Sequence, residues 1–576
     1  MGTMPERTVV STLLVLLSLT VGCTSPVVRS QTPDTEPIIE ERTTTTVGDM
    51  AQIWGMRPMM IEGLALTTNL DNTGSDPPAN SQRRILVDDM KRRGVDKPNT
   101  LLSLPSTSLV IIRAKIPPGL RKGDRLDVEV LTPSRSETES LRNGWLMQSR
   151  LQEMAVLGNK IRTGEPLALA AGAVVVDALM EGEGDRVSET RGRILGGALS
   201  TKSRELGLIL KPDHQSVRAS ARIGDVVNRR FHTFDRGTKR GVAIPKRDSF
   251  VEITVHSRYR NNLVRYFRVI QSIPISESPH KMIERMISLE GDLRNPKEAL
   301  STAVKLEALG KEAVPTLLSV LDSDSQIVRF AAAESLAYLD RSEAIPHLKN
   351  AAIHEPALRW HAITALGSMV SSDSREALAD LMQIESDEAR YGAFYAIMDA
   401  NPRDPVVKGE IIDDTLSIHE IPSDRAPLVH IRKTNRPEIV LFGQDITVTT
   451  PVAIFAGKKI MAKSDGSDRF KVSRFELGKN DTVIYCSNNL SDLIRTIVKL
   501  DGSYTDVVAA INHAKQNGSL SARVKFDALP KPGREYNLED ESAKEPGERI
   551  PADKKDDSLS VGNGLPSGKV HDQSGV

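Results

Sequence analysis

The spacing of apolar residues changes twice along this 576-residue chain, and nothing else constrains the fold as much. Strand-like alternation dominates the stretch before Ile275. From Pro279 to about Pro402 the apolar residues recur at helical spacing, and beyond Leu428 alternation returns. Strand-rich segments on either side of an all-helical one make the fold class α+β.

Alternation is plainest from Ser108 to Leu131. Val110, Ile112, Ala114 and Ile116 alternate with Leu109, Ile111, Arg113 and Lys115; Leu126, Val128 and Val130 alternate with Arg125, Asp127 and Glu129. That is the period of strands with one buried face. Pro117, Pro118 and Gly119 stop the first strand, and Arg121, Lys122, Gly123 and Asp124 form a polar loop, so the expected object is a ribbon with a basic tip. Met59 to Leu66 and Glu205 to Leu210 read as strands, as does Phe250 to Val255. Gln82 to Arg93, closed by Gly94, reads as a helix; two more helical faces carry Val217, Ser220, Ile223, Gly224 and Val227, and Leu263, Tyr266, Phe267 and Ile270. Glu139 to Ser200 is looser and reads as short strands between glycine-rich turns.

The helical segment is internally repetitive. Arg329-Phe330, Arg359-Trp360 and Arg390-Tyr391 each open a helix whose later apolar position is Leu336, Leu366 or Ile397, with Leu306 an earlier member. The copies lie about thirty residues apart. Ala313-Val314-Pro315-Thr316-Leu317 is echoed by Ala344-Ile345-Pro346-His347-Leu348. This segment, 279–404, resembles short HEAT repeats of the bilin-lyase type, which implies a protein-binding solenoid and no enzyme. Phe330, Trp360 and Tyr391 are expected to be core anchors.

Strands are expected again at Leu428 to Ile431, Glu438 to Phe442, Val448 to Phe455, Lys458 to Ala462 and in the run ending at Cys486. A helix follows from Ser491 to Leu500, then one capped by Thr505, and Val524 to Phe526 closes a sheet. Residues 529–576 are Pro, Gly, Ser and charge without periodicity and read as a disordered tail.

At the N-terminus, Arg7 precedes the apolar run Val9 to Val21, and Cys23 follows Gly22. The layout resembles a bacterial lipoprotein signal over 1–22, which implies lipidation of Cys23, a tether over 23–46 and, from Thr24-Ser25, an outer-membrane anchor. The other cysteine, Cys486, reads as a buried strand residue. With Cys23 acylated, no intramolecular disulfide and no thiolate metal site can form.

Few chemical motifs compete with a structural role. Lysine plus arginine and aspartate plus glutamate both total 76, which argues against a nucleic-acid partner. Gly182-Glu183-Gly184 lacks the strand and third glycine of a dinucleotide loop. His347, His354 and His361 are seven apart, about 10 Å on a continuous helix, too far to share one ion. Ser278-Pro279-His280-Lys281 fits a Ser-x-x-Lys pattern without companion motifs, and Asp88-Asp89 and Asp413-Asp414 read as solvated acids. No catalytic, cofactor-binding or metal-binding residue emerges, and the chain reads as a non-enzyme.

A wider resemblance runs through both strand-rich segments. Ile61-Glu62-Gly63-Leu64-Ala65-Leu66 leading to Asn72-Thr73-Gly74-Ser75-Asp76 begins it. Ser108-Leu109-Val110-Ile111 to Ile116-Pro117-Pro118, Lys122-Gly123-Asp124-Arg125-Leu126-Asp127-Val128, Ser140-Leu141-Arg142-Asn143-Gly144 and Leu206 to Arg230 follow, with Arg436 to Val452 and Asn489 to Gly518 later. In this order they resemble the bacterial flagellar P-ring protein family. The resemblance implies P-ring-like segments at 47–276 and 411–528, split by the repeats. It also implies a homo-oligomeric periplasmic ring of the flagellar basal body around the rod, without catalysis or cofactor. The implied partners are the flagellar rod, outer-membrane ring proteins and peptidoglycan, with membrane attachment through the lipid. Lys115, Arg121, Lys122 and Arg125 become candidate assembly contacts. The alternative is a lipid-anchored periplasmic scaffold with a P-ring-like fold outside the flagellum.

Overall fold

Six antiparallel strands close into a barrel, so none of them keeps a free edge. In the computed structural model, which describes residues 44–538 except 158–159, 178–185, 236, 477 and 479, they run around the barrel as follows. Met59–Thr68 pairs with Ser108–Ile116, then come Arg125–Leu131, Arg191–Ser200, Lys160–Ala173 and Trp145–Leu157, which returns to Met59–Thr68. Ile61, Val110, Ile112, Ala114, Val128, Val130, Leu151 and Ala168 fill its core. The expected alternation of the ribbon holds: Leu126, Val128 and Val130 are buried, and Arg125 and Glu129 are exposed. Leu109 points the other way, beneath the helix Ser81–Arg92, where it meets Leu66, Leu86 and Met90.

The looser stretch to Ser200 corrects the expectation of short strands. Trp145–Leu157 and Lys160–Ala173 have 13 and 14 residues, but their register shifts three times, between Leu146 and Ser149 and on either side of Gln152. Each bulge moves following residues to the opposite face, which erases a period-2 signal while preserving the strand.

The barrel is inserted into a second module. Ala51–Trp54, before the barrel, pairs with Gly207–Leu210, after it, and Phe250–Ile253 and Ala243–Pro245 complete a four-stranded sheet. The helices Val217–Arg230 and Leu263–Gln271 cover one face, capped by Ser216 and Asn262. Their apolar residues belong to one continuous core with the helical repeats, Pro279–Leu293 through Asp387–Ala400. In the repeats, Leu306, Leu336, Leu366 and Ile397 are buried as the spacing predicts.

The recurring arginines have a physical role there. Arg359 donates to the carbonyls of Ala352 and Ile353 at 2.8 and 3.2 Å, at the end of the preceding helix Ile345–His354. Arg329 donates to those of Ser323 and Asp324. At Arg359 a cation at the C-terminal end of a helix satisfies orphan carbonyls and opposes the helix dipole, whereas Arg329 ties down the loop before its own helix Gln326–Tyr338. Arg390, fully buried, donates instead to Ala426 at 2.8 Å, outside the repeats.

Beyond the repeats, Glu410–Ile412, Leu416–Ile421, Glu438–Phe442, Leu428–Ile431 and Arg523–Phe526 form a mixed sheet. Val440, Phe442, Ile421 and Leu428 join the repeat core, whereas Ile439, Leu441, Val429 and Ile431 face a second core shared with the helices Leu490–Lys499 and Tyr504–Gln516. A sheet covered on both faces explains why Glu438–Phe442 is buried at every position. Ala453–Ala456, Ile460–Ser464, Arg469–Arg474 and Thr482–Ser487 make an antiparallel meander against those helices, and Cys486, on its last strand, is half-buried rather than buried.

Two further expectations change. Ser503, not Thr505, caps Tyr504–Gln516, in a capping box with Asp506, and Thr505 is buried inside the helix. The expected tail does not leave the fold at 529: Leu529, Tyr536 and Leu538 pack against the repeats and Pro530 is buried. Residues 539–576 lie outside the described residues.

Candidate functional site

The ribbon tip is held by its own backbone. Arg121 N–H donates to Asp124 Oδ2 at 2.8 Å, and Gly123 N–H and Asp124 C=O bond Ser200 at 2.9 Å each. Lys122 N–H reaches Ser203 Oγ at 2.9 Å. Gly119 and Gly123, at φ +72 and +91°, supply the left-handed turns. The backbone is thus fixed while Arg121 and Lys122 stay exposed.

The four candidate contacts are exposed but do not form one cluster. Lys115 and Arg125 line a groove of about 580 Å³ with Arg113, Arg193, Asp127 and Asn435. Arg121 lines a second groove, towards the repeats, and Lys122 sits at the tip between them. Arg125 donates to the carbonyl of Gly196 at 3.2 Å.

Asp127, at the floor of the first groove, was invisible as a functional residue in the sequence. Its carboxylate accepts from the N–H of Gly196 at 2.7 Å and from that of Asn435 at 2.8 and 2.9 Å. It therefore fastens the turn Asn435-Arg436-Pro437 to the barrel. Gly196, at φ +57°, is where the two backbones meet; an added Cβ would lie 2.1 Å from Asn435 O.

Two buried ionic clusters join the repeats to their neighbours. In the first, Arg265 donates to Glu307 at 2.6 and 2.9 Å and lies 2.6 Å from Glu334, while Tyr259 donates to Glu307 at 2.5 Å. Burial opposes the charge on Arg265, but Glu307 and Glu334 outweigh it and raise its pKa. Burial pushes the Glu334 carboxyl up, and Arg265 and His361 more than offset that. In the second, Glu438 accepts from Tyr391 at 2.9 Å and Arg436 at 2.8 Å, and lies 3.5 Å from Arg432. His430 stacks on Tyr391 and its Nε2 accepts from Ala528 N–H at 3.0 Å. Burial, aided by Arg432, lowers its pKa to about 3, so it is neutral. The only sequence signal for the first cluster is a lone acid inside an apolar helical run, Glu307 after Leu306 and Glu334 after Ala331-Ala332-Ala333.

The remaining motif residues have local roles. Ser278 of the Ser-x-x-Lys match caps Pro279–Leu293, its oxygen accepting from Lys281 N–H. Asp413 and Asp414 form a left-handed turn, and Asp89 pairs with Arg93 at 2.7 Å. His354 bonds Asn350 C=O, and His361 lies 3.4 Å from Glu334. Phe330 and Tyr391 are buried, whereas Trp360 is half-buried at the rim of the second groove. Among the described residues no three metal-binding side chains converge, and no helix is long and apolar enough to cross a membrane. Cys23 and Gly182-Glu183-Gly184 lie outside the described residues.

Two parts of the chain match known families, and the larger takes in the barrel, the sheet module that contains it and the start of the helix Pro279–Leu293. Residues 46–286 match the flagellar P-ring protein family. Residues 328–354 match the PBS lyase HEAT-like repeat. A flagellar P-ring protein of Thermotoga maritima is 25% identical over 40% of this chain and 67% of its own length. One from Wigglesworthia glossinidia brevipalpis is 27% identical over 44% and 68%, and one from Shewanella amazonensis 32% identical over 29% and 43%. The chain is thus a distant relative of flagellar P-ring proteins over about 40% of its length, and that family is structural rather than enzymatic.

Proposed function

We propose that this protein is a structural component of the bacterial flagellar basal body, forming or contributing to the periplasmic P ring around the rod. The observation that carries this reading is the extent of the family match, which takes in the whole barrel and both halves of the discontinuous sheet module. A segment shared at that scale preserves a fold, and the ring role comes to this chain by analogy with the family that shares it. Lys115, Arg121, Lys122 and Arg125 serve as contacts to neighbouring subunits, the rod or peptidoglycan, since their charges are exposed on a pinned backbone. The segment 411–528 completes the P-ring-like fold, and Cys23 anchors the protein to the outer membrane. Outer-membrane ring proteins are the remaining neighbours.

Deletion of the gene tests the function: loss of swimming with incomplete basal bodies in electron micrographs is expected, and normal swimming with intact basal bodies overturns it. A Cys23→Ser protein is expected to leave the membrane fraction; retention there removes the lipid anchor.

A second reading, a lipid-anchored periplasmic scaffold outside the flagellum, is favoured by one observation. The family match stops at residue 286, and about half of the chain beyond the tether, including the repeats, lies past it.

A further inference from the structure

Arg390, in the first turn of the helix Asp387–Ala400, is fully buried against the loop 422–427, which links Leu416–Ile421 to Leu428–Ile431. Its guanidinium carbon lies 5.0 Å from the centre of the Phe442 ring, and Nη1 donates to Ala426 C=O at 2.8 Å. Nε and Nη2, which form the edge that grips two oxygens of one anion, have no hydrogen-bond partner among the described residues. Nor does the buried Nε of Arg523. Buried donors on a charged group are nearly always satisfied, because leaving one unpaired costs its full desolvation.

The neighbouring charges add to the cost. Burial, Arg523 and Arg425 all oppose the charge on Arg390, Asp387 alone supports it, and its pKa falls to about 10. Asp387 is itself shared, with Arg523 at 2.9 Å and Lys525 at 4.0 Å. Three guanidinium groups and a lysine thus divide one carboxylate. Hydrogen bonds hold the arginines in place: Arg425 Nε donates to Gln383 C=O at 3.1 Å, Gln383 Nε2 to Pro422 C=O at 3.0 Å, and Arg523 N–H to Pro427 C=O at 3.0 Å. Arg425 and Lys525 are exposed and Arg523 is partly so, which leaves the cluster open to a solute on that side.

We propose that Arg390, Arg425, Arg523 and Lys525 bind an oxyanion of the phosphate class, free or as an ester, at the joint between the repeats and the C-terminal sheet. Its oxygens meet the Nε–Nη2 edge of Arg390 and the Nε of Arg523, and its double charge offsets the surplus of cations. The inference goes beyond the ring reading and does not depend on it.

The probe is inorganic phosphate, titrated calorimetrically into the full-length chain in a chloride buffer. One saturable site per chain is expected, and Arg425→Gln/Arg523→Gln, changed on the open side, should weaken it at least tenfold. Arg390→Met should abolish binding while the Tm in chloride stays level or rises, because an unpaired buried charge is gone. If that variant does not fold, the glutamine pair decides alone. No saturable binding by the parent, or binding undiminished in the glutamine pair, overturns the proposal. Acetate binding as tightly as phosphate also overturns it, since the site is then one for carboxylates. Glycerol 3-phosphate distinguishes the sources: binding equal to that of phosphate supports a site open to esters, and weaker binding supports one for the free ion.

Discussion

Arg265 is one cation between two carboxylates, Glu307 and Glu334, in a site closed to water. Removing a partner from such a cluster leaves uncompensated charge, which costs far more than the cluster gains relative to an apolar core. Arg265→Leu should therefore destabilise the protein by about 3–5 kcal/mol in urea unfolding. Gln in place of Glu334, which keeps the shape and one charge pair, should cost less. His430 gives a pH dependence whose sign is fixed by its surroundings. Its folded pKa of about 3 lies below the 6.5 of a free imidazole, so between those values the unfolded chain binds a proton that the folded chain refuses. Stability is independent of this group above pH 6.5 and declines as pH falls below it, at about 1.4 kcal/mol per pH unit. Burial lowers His419 and His256 as well, which adds to the same slope. His430→Gln keeps an acceptor for Ala528 N–H and removes the titration, so unfolding free energies measured from pH 7 to 4.5 should fall less steeply.

At the scale of elements, the Asp127 carboxylate bonds the C-terminal sheet to the barrel, beside the apolar contact of Val175 and Leu195 with the second core. Asp127→Ala removes the acceptor for two backbone N–H groups and should cost about 1–3 kcal/mol. Gly196→Ala forces the same junction apart and should raise amide exchange at Asn435 without affecting the repeats. The ribbon and the repeat helices were legible in the sequence because each depends on neighbours three or four positions away, or two along a strand. The strands Trp145–Leu157 and Lys160–Ala173 were not, since bulges scramble the period on which recognition rests. Thr505 reads as the cap because Ser503 and Thr505 are both residues that can cap, and only the reciprocal bond to Asp506 distinguishes them.

Across the whole molecule, the repeats act as a keel. Their core is continuous with the sheet module on one side and reaches Val440 and Phe442 on the other, and a buried ionic cluster marks each junction. A helical segment so placed fixes the spacing of the modules on either side of it. Reversing Lys115, Arg121, Lys122 and Arg125 to glutamate together should leave the Tm within a few degrees, because all four are exposed, while reducing swimming and ring assembly in complementation assays. Unchanged motility would remove the ribbon tip from the assembly surface.

The sequence by itself determined the order of strand-rich and helical segments, the repeat, the basic ribbon and the likeness to P-ring proteins, all carried by local periodicity or short contiguous motifs. Only the tertiary structure decided that the barrel closes, that it sits inside a discontinuous sheet module, and that Leu529, Tyr536 and Leu538 pack back on the core of the repeats. Asp127 and Asn435 are 308 positions apart, and Arg534 and Glu388 are 146. No local pattern encodes a pairing at such separations, because the residues meet only after every intervening element has packed.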